Sequence, residues 1–210
     1  MNQQYIVVSF EHDNDSRAKL SFCEKNNQEY KIYLNNCKAY SGKCGFTNKK
    51  TEGDRKTPVG NYPITSGFGM ERIEGVKIPY VITSSRHVWV DDPESEYYNT
   101  MQLGRGNGKW KSAEKLNIPA YKYALVIGYN VKPAVPYCGS AIFIHCMTDN
   151  PYTEGCIAIK EKHMHCLISN IDIYKNPIII IDSMEKMKKK REVWKDASDK
   201  CTDCKYIFMV

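Results

Sequence analysis

Short apolar runs, each closed by a turn residue before it can lengthen into a helix, constrain this chain more than any other feature. The first third reads YIVVSF, AKLSFCE, QEYKIYLNN and KAYSGKCGF, with Asn and Gly at the breaks. Runs of this length, rich in β-branched and aromatic residues and bounded by turn formers, fold as paired strands. The pattern predicts hairpins and a meander. Further strands are expected in YPIT, KIPYVITS and HVWVDD, then in the two most apolar runs, YALVIGYN (123–130) and SAIFIHCM (140–147), and in GCIAIK and NPIIIID. EKHMHCLISNI reads as a helix opening near Glu161, and the stretch from Ser183 to Asp199 has a helical composition. The fold class expected is mainly β, a sandwich or barrel-like body over residues 1–182 with one or two packed helices. A basic helical extension, residues 183–210, follows it. Residues 92–120 form a polar, Gly-containing insert of the kind that borders binding clefts.

Composition supports a packed core. Of 210 residues 42% are hydrophobic, among them fifteen Tyr, six Phe and three Trp, so burial needs neither metal nor crosslink. Nine cysteines leave at least one thiol free even if the rest pair. No stretch reaches the ~18 apolar residues of a membrane span. The opening MNQQYIVVSFEHDND has no basic region leading into a long apolar one and does not read as a signal peptide. The net charge of +6 is concentrated in KMKKKR, Lys186 to Arg191. Such a run is read as a solvated helix face, with an anionic polymer as its possible partner. Aromatic residues are not interleaved with it, and no nucleic acid partner is expected.

The chemistry concentrates in HCMTDNPYTEGC, residues 145–156. With SAIFIHC taken as a strand, Ala141, Phe143 and His145 share one face, and Ile142, Ile144 and Cys146 the other. Cys156 follows Gly155 and faces with Ala158, away from Ile157 and Ile159. A glycine there lets the backbone approach a ligand, and neighbouring amides can receive an oxyanion. A thiol of ordinary pKa near 8.5 is only partly ionised at neutral pH, and an imidazole within reach can take its proton. Spacing alone leaves three readings open: nucleophile and base, metal site, or two core residues.

Four segments, in order, resemble the YkuD-type L,D-transpeptidase family. GDRKTPVGNYPI is similar to its G-D-x-x-T-P-x-G-x-Y/F segment, and WVDDPESEYYN to the W-V-D-D-P…Y-N stretch of one branch. VIGYN…GSAIFIHC is similar to its histidine strand and YTEGCIAI to its S/T-x-G-C motif. The resemblance implies a cysteine enzyme acting on peptidoglycan stem peptides. Cys156 would attack the carbonyl of an L-centre followed by a D-residue, with His145 as base. The backbone carbonyl of Cys146 would orient the imidazole, and the amides of Gly155 and Cys156 would hold the oxyanion. Transfer to an amine gives a crosslink or an exchanged D-amino acid; transfer to water gives L,D-carboxypeptidase activity. A non-catalytic cell-wall-binding module is the rival reading, and a secreted effector a variant of the first. The substrate implies the cell envelope (periplasm or wall), although no signal peptide is evident.

The chain departs from the family at Ala158, where many members carry Arg; Arg86 or Arg105 is expected to stand in near the substrate. Thr153 occupies the S/T position and steadies the cysteine turn or meets substrate, and His87 is a pocket-wall candidate. Asp91 and Asp92 read as a capped turn, and Tyr97, Tyr98 and Asn99 as packing at the cleft edge. His163, His165 and Cys166 with Cys201 and Cys204 are the one alternative metal set, at a spacing unlike that of a zinc finger. No metal and no cofactor are expected.

Overall fold

β1 (Gln3–Phe10), β2 (Arg17–Asn26) and β3 (Glu29–Tyr40) make the expected antiparallel meander in the computed structural model, which describes residues 3–27 and 29–189. Cys201, Cys204 and the tail from 190 on lie outside the described residues. Two runs expected to be separate contribute to the one strand Glu29–Tyr40. Asn36 takes a left-handed φ of 48° and its amide donates to Ser21 Oγ at 2.8 Å. The register shifts there, and the asparagine makes a bulge instead of a reversal.

Two short strands, β4 (Phe46–Thr47) and β5 (Thr57–Pro58), pair in parallel ahead of β6 (Gly60–Gly69), β7 (Tyr80–Ile82) and β8 (His87–Val90). The polar insert, read as a loop, contributes β9 (Met101–Leu103), β10 (Ala113–Lys115) and a 3-10 turn at Pro119–Tyr121. β11 (Tyr123–Ile127), β12 (Phe143–Cys146), β13 (Ile157–Ile159), α1 (Glu161–Asn170) and β14 (Ile178–Ser183) complete the body. A helical turn over 184–189 ends the described chain.

The main sheet runs β11-β12-β13-β3-β2-β1-β14-β6-β7, and a further β6–β11 pairing closes it into a barrel with β7 outside the ring. β6 manages both partners by division: Gly60 to Pro63 pair with β14, and Ile64 to Gly69 with β11. Pro63, with no N–H to donate, sits at the change of partner. Period-two burial of Ile6, Val8 and Phe10, and of Ala18, Leu20 and Phe22, fills one core. Met164, Leu167 and Ile168 of α1, at helical spacing, join it. Each such aliphatic or aromatic side chain contributes about 1.5–3 kcal/mol on leaving water.

The opposite face of β6, β11 and β12 carries a second core, in which Phe68, Ala124, Val126 and Phe143 meet Trp89, Leu116, Tyr121 and Cys156. A three-stranded sheet, β10-β8-β9, contributes Trp89 to this core. The architecture is thus the mainly β, barrel-like one expected.

Candidate active site

Strand alternation decides which side each residue of 143–159 serves. Ile144, Cys146, Ile157 and Ile159 belong to the barrel core, whereas Phe143 and Cys156 belong to the second core. His145 points with Phe143, and the Tyr121 ring meets both edge-on, at 5.2 Å from His145 and 5.7 Å from Phe143. One element of the reading needs correction: Ala141 does not share that strand. It has a left-handed φ of 53° ahead of β12, which aims its carbonyl at the thiol.

His145 and Cys156 line one cleft of about 560 Å³. The imidazole Nδ1 lies 2.9 Å from the Cys146 carbonyl oxygen. A carbonyl only accepts, so Nδ1 carries the proton and Nε2 keeps the lone pair. Burial lowers the imidazole pKa to about 4, so His145 is neutral above that pH. Cys146 itself turns its thiol into the barrel, toward Tyr123 O at 3.8 Å. Cys156 donates its thiol hydrogen to Ala141 O at 3.2 Å and accepts the Phe143 amide at 3.3 Å. His145 and Cys156 share the cleft wall without a direct hydrogen bond. Burial pushes the Cys156 thiol well up, and the Glu114 carboxylate adds to this. The cleft therefore holds a neutral thiol and a neutral imidazole.

The cysteine turn is clamped from two sides. Thr153 Oγ1 donates to Cys156 O at 2.7 Å and accepts the Gly155 amide at 3.1 Å. The Gly155 N–H, expected to face an oxyanion, is instead engaged by Thr153. Thr57 Oγ1 accepts the Gly42 amide at 2.9 Å and donates to Gly155 O at 2.8 Å, fastening the turn to the segment before β4. Gly155 has φ 141°, and an added Cβ would stand 3.1 Å from Lys56 O.

A family model for the YkuD L,D-transpeptidase catalytic domain matches residues 3–180. The chain belongs to that family. No curated protein and no solved structure matches it.

Within this L,D-transpeptidase domain the residues picked from sequence divide. Cys156, His145, Gly155 and Thr153 reach the cleft, whereas Arg86, His87 and Arg105 are not among its lining residues. His87 Nδ1 instead accepts the Ser84 amide at 3.0 Å. The basic groups at the cleft are Arg55 and Lys50. Lys50 has a side chain only 4% exposed, paired with Asp54 at 2.5 Å, and its charge favours the thiolate of Cys156. Lys50 and Tyr121 carried no motif signal; Thr57 stood in plain view as the threonine of the T-P-x-G segment.

The W-V-D-D-P…Y-N stretch supports the thiol's partner. Trp89 Nε1 and the Ala141 amide both donate to Asn99 Oδ1, at 2.8 and 3.0 Å, while Asn99 Nδ2 donates to the Tyr129 and Asn130 carbonyls. Asp92 accepts the amides of Lys111 and Glu94, the capped turn expected. Among the described residues no three His, Cys, Asp or Glu side chains are grouped to hold a metal.

Proposed function

We propose that this YkuD-family domain is a cysteine L,D-transpeptidase acting on peptidoglycan stem peptides. The observation that carries the reading is the Nδ1–carbonyl bond of His145 in the same cleft as Cys156. It frees Nε2 to accept the thiol proton as Sγ attacks the carbonyl of an L-centre that precedes a D-residue. The oxyanion forms against the Cys156 amide. On collapse the C–N bond breaks, the imidazolium gives its proton to the departing amine, and a thioester on Cys156 remains. An acceptor amine then attacks, passing a proton to His145, and the C–S bond breaks to restore the thiol. With water as acceptor the same thioester yields a shortened peptide, which is L,D-carboxypeptidase action. The substrate assigns the work to the cell envelope, where the lysine-rich run beginning at Lys186 offers contact with anionic wall polymer.

The test is mass spectrometry of the reduced protein incubated with a disaccharide tetrapeptide. A covalent adduct on Cys156 with release of D-Ala, both missing in Cys156→Ala, is the expected result. A crosslinked product marks amine transfer and a tripeptide marks hydrolysis. A folded protein that yields neither adduct nor product, its thiol reduced, overturns the assignment in favour of a wall-binding module.

A further inference from the structure

Tyr121 stands between two groups that compete for its single hydroxyl hydrogen. On one side it donates to Glu114 Oε1, and on the other it shares the second core and the cleft wall with Cys156, whose thiolate its hydroxyl favours. Its ring is locked, edge-on to Phe68, Phe143 and His145 and only 4% exposed, so the oxygen cannot leave this position. Glu114 is held in turn by β10, opposite Trp89 of β8.

We propose that Glu114 sets the direction of the Tyr121 hydroxyl and, through it, the readiness of Cys156 to ionise. A carboxylate can only accept, so an ionised Glu114 draws the Tyr121 hydrogen to itself and turns an oxygen lone pair toward sulfur. A protonated Glu114 donates instead to the Tyr121 oxygen, and the tyrosine O–H is then given to the developing thiolate. The direct charge effect has the same sign, because an ionised Glu114 repels a thiolate while a neutral one does not. Tyr121 is thus a catalytic group at the reacting sulfur and Glu114 a positioning residue behind it. This rests on the reading of Cys156 as nucleophile.

The switch falls in a useful range. Burial, with the nearby Asp91 and Glu52 carboxylates, raises the Glu114 pKa from 4.5 to about 7. Asp91 follows β8 and Glu52 lies on the loop before β5; Tyr121 and Cys156 face Glu114 from the other wall, and Lys50 faces the thiol. Asp91 Oδ1 is buried without a partner, so this end of the cleft resists further negative charge. Burial disfavours the thiolate at every pH, and the ionised Glu114 opposes it further above pH 7 than below.

The test measures Cys156 alkylation by iodoacetamide, read by peptide mass spectrometry from pH 5.5 to 9, and needs no peptidoglycan substrate. Its outcome is therefore independent of whether the protein is an L,D-transpeptidase. Glu114→Gln and Glu114→Ala, both neutral, are expected to react roughly five- to tenfold faster than the natural protein at pH 8, a shift of up to about one pKa unit. All three converge at pH 5.5, where the natural carboxyl is also neutral. Tyr121→Phe is slower below pH 7, where the thiolate loses its donor, and the difference narrows above pH 7, where Glu114 already holds the tyrosine hydrogen. Superimposable profiles for the natural protein and both Glu114 variants overturn the proposal, as does a rate change of equal size at every pH, which a purely structural role would produce.

Discussion

Gly155 shows how much a single residue determines at this site. Its φ of 141° lies where side chains are strained, and a Cβ would meet the Lys56 carbonyl at 3.1 Å. Gly155→Ala is expected to cost about 1–3 kcal/mol. The strain shifts the turn that carries Cys156, so thermal melting falls by several degrees and the Cys156 adduct is lost. A variant with unchanged melting and full adduct formation would show that the turn adapts. The glycine turn ahead of Cys156 was legible in the sequence, because a glycine's backbone freedom and a cysteine's thiol are both local properties. That Thr153 engages the Gly155 amide was not legible, because it depends on where the Thr153 hydroxyl points in the folded turn.

At the scale of elements, β8 and the turn after it act on Cys156 at one remove. Asn99, with a left-handed φ of 59°, gathers Trp89, Ala141 and two carbonyls, and Ala141 in turn takes the thiol hydrogen. Asn99→Ala leaves buried donors without acceptors and is expected to cost about 1–3 kcal/mol for each group so stranded. Chemical denaturation would register that loss, and the Cys156 adduct should form more slowly even where the variant remains folded. Equal denaturation midpoints would remove Asn99 from this role. Sequence reading found these residues but assigned them to packing. A turn residue and a hub of hydrogen bonds look alike until the partner, Ala141, is brought from 42 positions away. The same limit applies to the insert: its short strands lack the apolar period that reveals β1 or β14, since they are paired at a rim.

For the whole molecule, closure of the barrel through β6 makes the body independent of the lysine-rich end. β14 is the last strand, paired with β1 and β6, and Met187 is the last buried core residue described. Deleting residues 190–210 is therefore expected to leave melting unchanged. If the basic run meets wall polymer, a form lacking residues 184–210 sediments less with isolated sacculi than the full chain, more clearly at low ionic strength, where charge attraction is least screened. Equal sedimentation of the two forms would dismiss that contact.

The sequence by itself determined the longer strands, the faces on which residues 143–146 and 156–159 stand, and the presence of a thiol and an imidazole close together in the chain. These follow from a period of two, from turn-forming residues, and from side-chain chemistry carried by neighbours in the chain. Only the tertiary structure decided that Lys50 and Arg55, instead of Arg86 and Arg105, are the cations of the cleft, and that Tyr121 and Glu114 line it together with Cys156. Those groups come from separate loops and strands. Their meeting depends on how a barrel closes and a second sheet packs on it, and that information belongs to the pairing of distant segments, in no single stretch of the chain.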